Sequence, residues 1–253
     1  MSRELRDPAV ERAHFDAIVA ARGPIYWADR TAAGARRREI RAELLAARAA
    51  VGAGGRVLEI GCAVGDYTAA LAGRTAGLLV SVDVAPAAVA LARTRLPARV
   101  AVATADVEHL PFADATFDAV LGNAVLHHLR LDRALPELLR VLRPGGRFCF
   151  SEPNLLNPHV FVEKTVPWVG RWLDDSPGET AFVRWRLARA LAGAGLVDVA
   201  IRPFDFLYPA VPAALVPAVE RLGRWLERVP GMREVAGSLL VTARKPAAGG
   251  ARG

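Results

Sequence analysis

A doubly wound α/β fold, with a mostly parallel sheet covered by helices on both faces, is predicted by two observations. From Arg56 onward short apolar runs alternate with helical stretches, and the first run leads directly into a glycine-bearing turn. The five runs Val57–Ile60, Leu78–Val82, Val100–Ala103, Phe117–Leu121 and Arg147–Phe150 are candidate strands. They are nearly continuous in apolar residues because a parallel strand is buried on both faces. Between them, helices are expected from Tyr67 past Leu71 and from Ala85 to Leu96, where Pro86 suits a first turn. Upstream, Val10, His14, Phe15, Ile18 and Val19 recur at helical spacing until Arg22-Gly23-Pro24 breaks the chain. A second helix sets Arg36, Arg37, Arg38 and Arg41 against Ile40, Leu44 and Leu45 and ends near Gly52. The pattern loosens between Pro153 and Ser176. A helix from Phe182 to Gly193 then leads into a strand at Val197–Arg202, and a last strand spans Ser238–Arg244. Between those strands Val216, Val219, Leu222, Trp225, Leu226 and Val229 form an amphipathic stretch. The implied organisation is a helical cap segment at 1–55, a domain at 56–245 with cap insertions near 153–180 and 203–237, and a disordered tail at 246–253.

Composition narrows the class of protein. The 253 residues suffice for one core with appendages, and 53% apolar content with a mean hydropathy of +0.22 excludes a disordered chain. The longest apolar stretch, Phe206 to Val219, is interrupted by Pro209, Pro212 and Pro217, so no transmembrane helix is expected. Met1 to Asp7 carries charges where a secretory signal needs apolar residues, and Cys62 and Cys149 are the only cysteines. These features point to a reducing, cytoplasmic setting. The net charge of +7 is almost entirely arginine. The arginines are scattered, which reads as compositional bias, although RNA or an anionic membrane surface would suit the same charge.

The chemistry concentrates at Val57-Leu58-Glu59-Ile60-Gly61-Cys62-Ala63-Val64-Gly65, a buried strand entering a turn at the carboxyl edge of the sheet. Ligands bind at that edge in open α/β sheets, and glycine there lets a ligand approach backbone N–H groups. Asp83 ends the second strand 24 residues after Glu59, where a carboxylate can accept from both hydroxyls of a ribose. Asp106 ends the third strand and can accept from an adenine amino group, with Val84 and Val107 as walls for the ring. Nicotinamide dinucleotide is the natural rival ligand. Glycines at 61 and 65 do not match its six-residue fingerprint, and that reading gives Asp106 and Asn123 no role.

Over about Arg56 to Asn154 the chain resembles the class I S-adenosylmethionine-dependent methyltransferases, most closely the type 11 group that includes small-molecule and quinone methyltransferases. The residues that carry the resemblance are Glu59 to Gly65, Val82-Asp83-Val84, Thr104 to Phe112, Phe117 to Val120, Asn123 to Leu129 and Val141 to Gly146. The resemblance implies a Rossmann-like, mostly parallel seven-stranded sheet with its last strand antiparallel, and S-adenosylmethionine as cofactor with S-adenosylhomocysteine as product. It assigns Glu59, Gly61 and Gly65 to the methionine side of the cofactor, Asp83 to the ribose, Asp106 and Val107 to the adenine, and Asn123 to the loop nearest the sulfonium, with Cys62, Ala63, Val84 and Ala124 also expected to bind the cofactor. Tyr26 is expected to cover the cofactor. The chain departs from the family pattern at Ala63, where glycine is usual.

Methyl transfer from a sulfonium is an in-line displacement that requires alignment and dryness, with no metal ion in the expected site. A hydroxyl or acidic carbon nucleophile benefits from a base. His127 and His128 follow the fourth strand at the correct edge, and Glu152 ends the fifth, so these three are the catalytic candidates. The Asn/Asp-Pro-Pro-aromatic loop of adenine amino methylation is missing after Asn123, and neither cysteine follows a proline as a base C5-methylating nucleophile commonly does. The substrate is expected to be a small apolar or aromatic metabolite, walled by Tyr26, Trp27, Phe161, Trp168, Trp172, Phe204, Phe206 and Tyr208. The alternatives are an RNA methyltransferase, or a non-catalytic scaffold on a repurposed methyltransferase fold. Peripheral membrane contact through the arginine-bearing stretch near Arg221, Arg224 and Arg228 fits the same sequence.

Overall fold

The computed structural model describes residues 8–22, 31–166, 168–169 and 179–248. Two N-terminal helices, α1 (Pro8–Arg22) and α2 (Ala32–Ala49), precede the alternating unit. That unit runs β1 (Arg56–Ile60), α3 (Asp66–Ala72), β2 (Leu78–Asp83), α4 (Pro86–Arg95), β3 (Ala101–Thr104), β4 (Phe117–Asn123), α5 (Leu131–Val141) and β5 (Leu142–Pro153). The chain continues through α6 (Pro158–Thr165), α7 (Arg184–Gly193), β6 (Val197–Phe204), α8 (Val216–Leu226) and β7 (Ser238–Arg244). Tyr26, Trp27, Trp172 and residues 249–253 of the tail lie outside the described residues.

The seven strands form one sheet in the order β3-β2-β1-β4-β5-β7-β6. Neighbours among the first five are parallel, and β7 is antiparallel to both β5 and β6. Strand order reverses between β1 and β4, so their following loops leave in opposite directions and open a crevice at the carboxyl edge. Side-chain alternation divides the core into two layers. Val57, Leu79, Leu121, Cys149 and Leu240 pack toward Leu45 of α2 and Leu71 of α3. Leu58, Val82, Val120, Phe148 and Val241 pack toward Leu135 and Leu138 of α5 and Leu187 and Leu191 of α7. Outside these layers α1 lies against α4: Phe15 and Val19 pack on Val64, Ala85 and Ala88, and the Ala87 N–H donates to Asp16 at 3.1 Å.

Three elements differ from expectation. β5 is longer than Arg147–Phe150 because β7 pairs with it through Glu152 and Pro153, carrying the strand to the carboxyl edge. The loosened segment contains α6, whose start is fixed by Asn157 accepting from the His159 and Val160 N–H groups, with Pro158 in the first turn. The amphipathic stretch near 216–229 does not bury a single stripe. Val216 and Val219 pack with Ala33, Leu207 and Val211, and Gly223 lies so close to Phe206 that a Cβ there would sit 3.2 Å from the Phe206 Cβ. That arrangement turns Leu222 and Trp225 outward. Among the described residues no helix is long and apolar enough to cross a membrane.

Candidate active site

The turn after β1 is held from beneath by the end of β2. Gly61 and Cys62 donate their N–H groups to the Val82 carbonyl at 2.8 and 3.1 Å. Gly61 has φ +74, and a Cβ there would come within 2.7 Å of the Val125 side chain, so both conformation and packing require glycine. The Ala63 N–H donates to one Asp83 oxygen at 2.8 Å and the Ala85 N–H to the other at 2.9 Å. Burial pushes the Asp83 carboxyl above its usual range, and these amides, with His128 nearby, oppose the shift. Gly65, at φ +88, caps α3. Ala63 itself sits at φ +44, a left-handed conformation unfavourable for a side chain. Ala63→Gly is therefore expected to raise the unfolding free energy by about 1 kcal/mol, less the chain entropy that glycine adds, read as an upward shift of the urea midpoint.

A cavity of about 720 Å³ opens above this turn, within the range of small-ligand sites. It gathers nearly all the residues selected from sequence: Gly61, Cys62 and Ala63 from the turn; Asp83 and Val84; Asp106 and Val107; Asn123 and Ala124; and His127, His128 and Glu152. Glu59 and Gly65 lie outside its lining. Glu59 is buried beneath it, accepting from the Ser81 hydroxyl at 2.6 Å, and burial pushes its carboxyl up to about 7 against the pull of the Ser81 and Thr68 hydroxyls. Of the expected aromatic wall, Phe206 and Tyr208 line the cavity, Phe204 is buried in the core, and Phe161 and Trp168 are exposed. Tyr26, the expected cofactor cover, lies outside the described residues together with Trp27 and Trp172. Phe15 of α1 lines the cavity without having been marked by sequence.

Whether this cavity suits S-adenosylmethionine can be judged from its orphaned polar atoms. Arg41 Nε, the Tyr67 hydroxyl, Asn123 Oδ1 and Ser151 Oγ are buried, have no partner, and belong to residues of the cavity wall. Leaving such atoms unpaired costs about 1–3 kcal/mol each, a cost that a polar ligand removes. Donors from a guanidinium and hydroxyls beside an amide oxygen match the carboxylate and ammonium of an amino-acid tail. Arg41 is fixed in place: its Nη2 donates to Asp205 at 2.8 Å and to the Ser238 hydroxyl at 2.6 Å, while Arg37 Nε donates to the same Asp205 oxygen at 2.9 Å. The two arginines hold the Asp205 carboxyl below its usual range despite burial. The residues present thus fit the cofactor.

The histidine pair divides into two environments. His127 is 3% exposed and places Nδ1 2.7 Å from Glu152 Oε2 and Nε2 3.3 Å from Glu179 Oε1. Burial alone would lower its pKa, but the two carboxylates raise it to about 9, so it is an imidazolium at neutral pH. Glu152 uses its other oxygen to accept from the Val125 and Leu126 N–H groups at 3.1 and 2.9 Å. Glu179, although burial opposes its ionisation, is drawn well below the usual carboxylate range by His127, His128 and Lys164, whose ammonium is bonded to it. His127 and Glu152 therefore have their proton-bearing atoms committed to each other and to the turn after β4. His128 is oriented separately, with Nδ1 3.3 Å from Glu11 Oε2 of α1 and its ring edge-to-face with Phe15. His127, His128 and Glu179 bring one possible metal-ligand atom each within 4.8 Å of one another, but the Lys164 ammonium already supplies a cation at Glu179.

Residues 58–150 match the methyltransferase domain family known as Methyltransf_11. The chain is 36% identical over 135 residues to methyltransferase GfsG of Streptomyces halstedii, covering 50% of this chain and 49% of that protein. It is 37% identical over 124 residues to the demethylmenaquinone methyltransferase of Thermobifida fusca, covering 42% and 52% respectively. The matched segment thus spans about half the length of these curated relatives. Among solved structures, the methyltransferase in complex with the Haloferax volcanii Trm112 methyltransferase activator superposes with a TM-score of 0.67 at 22% identity, covering 92% of this chain and 97% of that one. Strand order, the clamped glycine turn and this family match agree, and the chain carries a methyltransferase domain of the class I, S-adenosylmethionine-dependent family.

Proposed function

We propose that the chain transfers the methyl group of S-adenosylmethionine to an oxygen or carbon atom of a small, largely apolar or aromatic metabolite, releasing S-adenosylhomocysteine. The observation that carries this reading is one cavity lined both by the Gly61–Ala63 turn, Asp83 and Asp106 and by the aromatic side chains of Phe15, Phe206 and Tyr208, with His128 in its wall. Asp83 and Asp106 would hold the nucleoside, and Arg41, Tyr67, Asn123 and Ser151 the amino-acid tail. When bound, the cofactor supplies an electrophilic methyl group. Phe15 and Phe206 keep water from the site. His128, with Nδ1 3.3 Å from Glu11 Oε2, stands in the cavity wall as the group suited to take a proton from the acceptor. His127 and Glu152 hold the turn from Ala124 to His128 in register rather than exchange protons with substrate.

Calorimetric titration tests the cofactor half of this reading. Native protein is expected to bind S-adenosylmethionine and S-adenosylhomocysteine, and Asp83→Ala to weaken both by about 10- to 30-fold through loss of a buried acceptor. Failure of folded native protein to bind either would overturn it. Binding without turnover across phenols, quinols and other apolar acceptors would favour the scaffold reading, and salt-dependent RNA affinity with turnover the RNA methyltransferase reading.

A further inference from the structure

We propose that the outward face of α8 is a docking surface for an anionic membrane. The packing of α8 fixes which face this is. Val216, Val219 and Gly223 turn toward Ala33, Leu207 and Phe206. That leaves Ala218, Leu222 and Trp225 on the solvent side beside the packed face, continued by Leu215 at the end of the preceding turn, with Leu215, Leu222 and Trp225 exposed by 53, 56 and 57%. Exposed side chains of this size gathered on one helix face exceed the scattered apolar residues of an ordinary surface.

The charges beside the stripe select its partner. Arg221, Arg224 and Arg228 are all exposed along its flank. The acidic residues of the same stretch are largely engaged by the protein: Glu220 pairs with Arg36 at 3.0 Å and more distantly with Arg224 at 3.6 Å, and Glu227 accepts from the Asp205 N–H at 3.0 Å, which leaves Arg221 and Arg228 to face solvent with the 60%-exposed Arg224 side chain beside them. Leucine and tryptophan seated at the headgroup boundary, with guanidinium groups reaching anionic lipid, are the arrangement of an interfacial helix. A second copy of this chain fits less well, because a self-paired face would bring arginines against arginines in a protein that already carries a net charge of +7. RNA fits less well too, since leucine and alanine side chains offer nothing to phosphate or ribose.

The segment leading into α8 comes from the cavity wall. Tyr208 lines the cavity, is 46% exposed, and bonds His159 of α6 through its hydroxyl at 2.8 Å. The chain from Tyr208 leads through the turn at Ala213–Leu215 directly into α8. The proposal goes beyond the catalytic reading, and its test needs neither cofactor nor substrate, so the two can fail separately.

The test is co-sedimentation of the full chain with sucrose-loaded vesicles, either of phosphatidylcholine alone or of equal parts phosphatidylcholine and phosphatidylglycerol. Native protein is expected to pellet with the anionic vesicles and remain in solution with the neutral ones. Arg221→Gln, Arg224→Gln and Arg228→Gln together should reduce partitioning by about fivefold per arginine. Leu222→Ala with Trp225→Ala should reduce it by at least about tenfold through lost apolar insertion. All five positions are exposed, and an unchanged urea midpoint of each variant checks that the fold is intact. Native protein that stays in solution at low salt overturns the proposal, as does partitioning unchanged in both variants. A dimer in light scattering that the leucine–tryptophan variant dissolves would assign the face to a second copy. RNA affinity lost in the arginine variant, without vesicle binding, would assign it to nucleic acid.

Discussion

Replacing His128 by alanine is expected to lower kcat for methyl transfer by about two to four orders of magnitude, the usual contribution of a positioned general base. The dissociation constant for S-adenosylmethionine should change by less than about threefold, because a base acts on the acceptor and contributes little to cofactor binding. Glu11 acts through His128 and is a positioning residue. Glu11→Gln keeps a partner of the same size but can present its amide nitrogen to Nδ1, which favours the wrong tautomer, so kcat should fall while KM stays close to the native value. A full-rate His128→Ala enzyme would remove the base from the mechanism and leave alignment alone to account for transfer.

His127→Ala is expected to act on stability, at about 3–5 kcal/mol, because it leaves Glu152 and Glu179 buried without their shared cation. The pH dependence carries a definite sign. The folded-state pKa of His127, about 9, stands above its ordinary 6.5, so its stabilisation is complete below pH 6.5 and is lost as pH rises through 9. A difference of 2.5 (9 − 6.5) at 1.36 kcal/mol per unit makes this about 3 kcal/mol. Glu179 works in the opposite direction. Its folded pKa lies below the ordinary 4.5, so its contribution is present above 4.5 and lost on acidification. Urea unfolding of the native chain should accordingly weaken as pH rises, first between 4.5 and 7 through the raised Glu59 carboxyl and then toward pH 9 through His127, and His127→Gln should remove the second fall while keeping a neutral hydrogen-bonding side chain.

What could be read from the sequence was the part governed by local pattern. β1 to β5, the glycine turn, Asp83 and Asp106 follow from apolar runs with polar residues at their carboxyl ends, and all of these reach the same edge because parallel strands share a direction. The rest depends on pairs far apart in the chain. Arg41 reads as one of a row of arginines on α2, and only the crossing of α2 over the sheet brings it to Asp205 and Ser238. Glu11 and Glu179 carry no local signal and meet the histidine pair from opposite ends of the chain. α6 has no fully buried residue, so it shows no apolar period to detect. On α8 the periodicity was visible, but an apolar stripe looks the same whether it faces protein or solvent, and the close approach of Gly223 to Phe206 decided the rotation.

The position of β7 governs the order in which this molecule can assemble. β7 pairs with β5 over Arg147 to Pro153 on one side and, among the described residues, is the sole sheet neighbour of β6 on the other. A nascent chain synthesised through Phe204 can complete the parallel block from β3 to β5, but β6 has nothing to pair with until Ser238 to Arg244 emerges. Until then the open margin of β5 includes Glu152, so the carboxylate that anchors His127 waits on an unpaired edge. Closing that gap joins strands separated by most of the second half of the chain, and such non-local pairing is slow. The binding edge therefore matures late in biosynthesis, and the stretch before Ser238 is the interval in which a partly made chain is most open to edge-to-edge association and proteolysis.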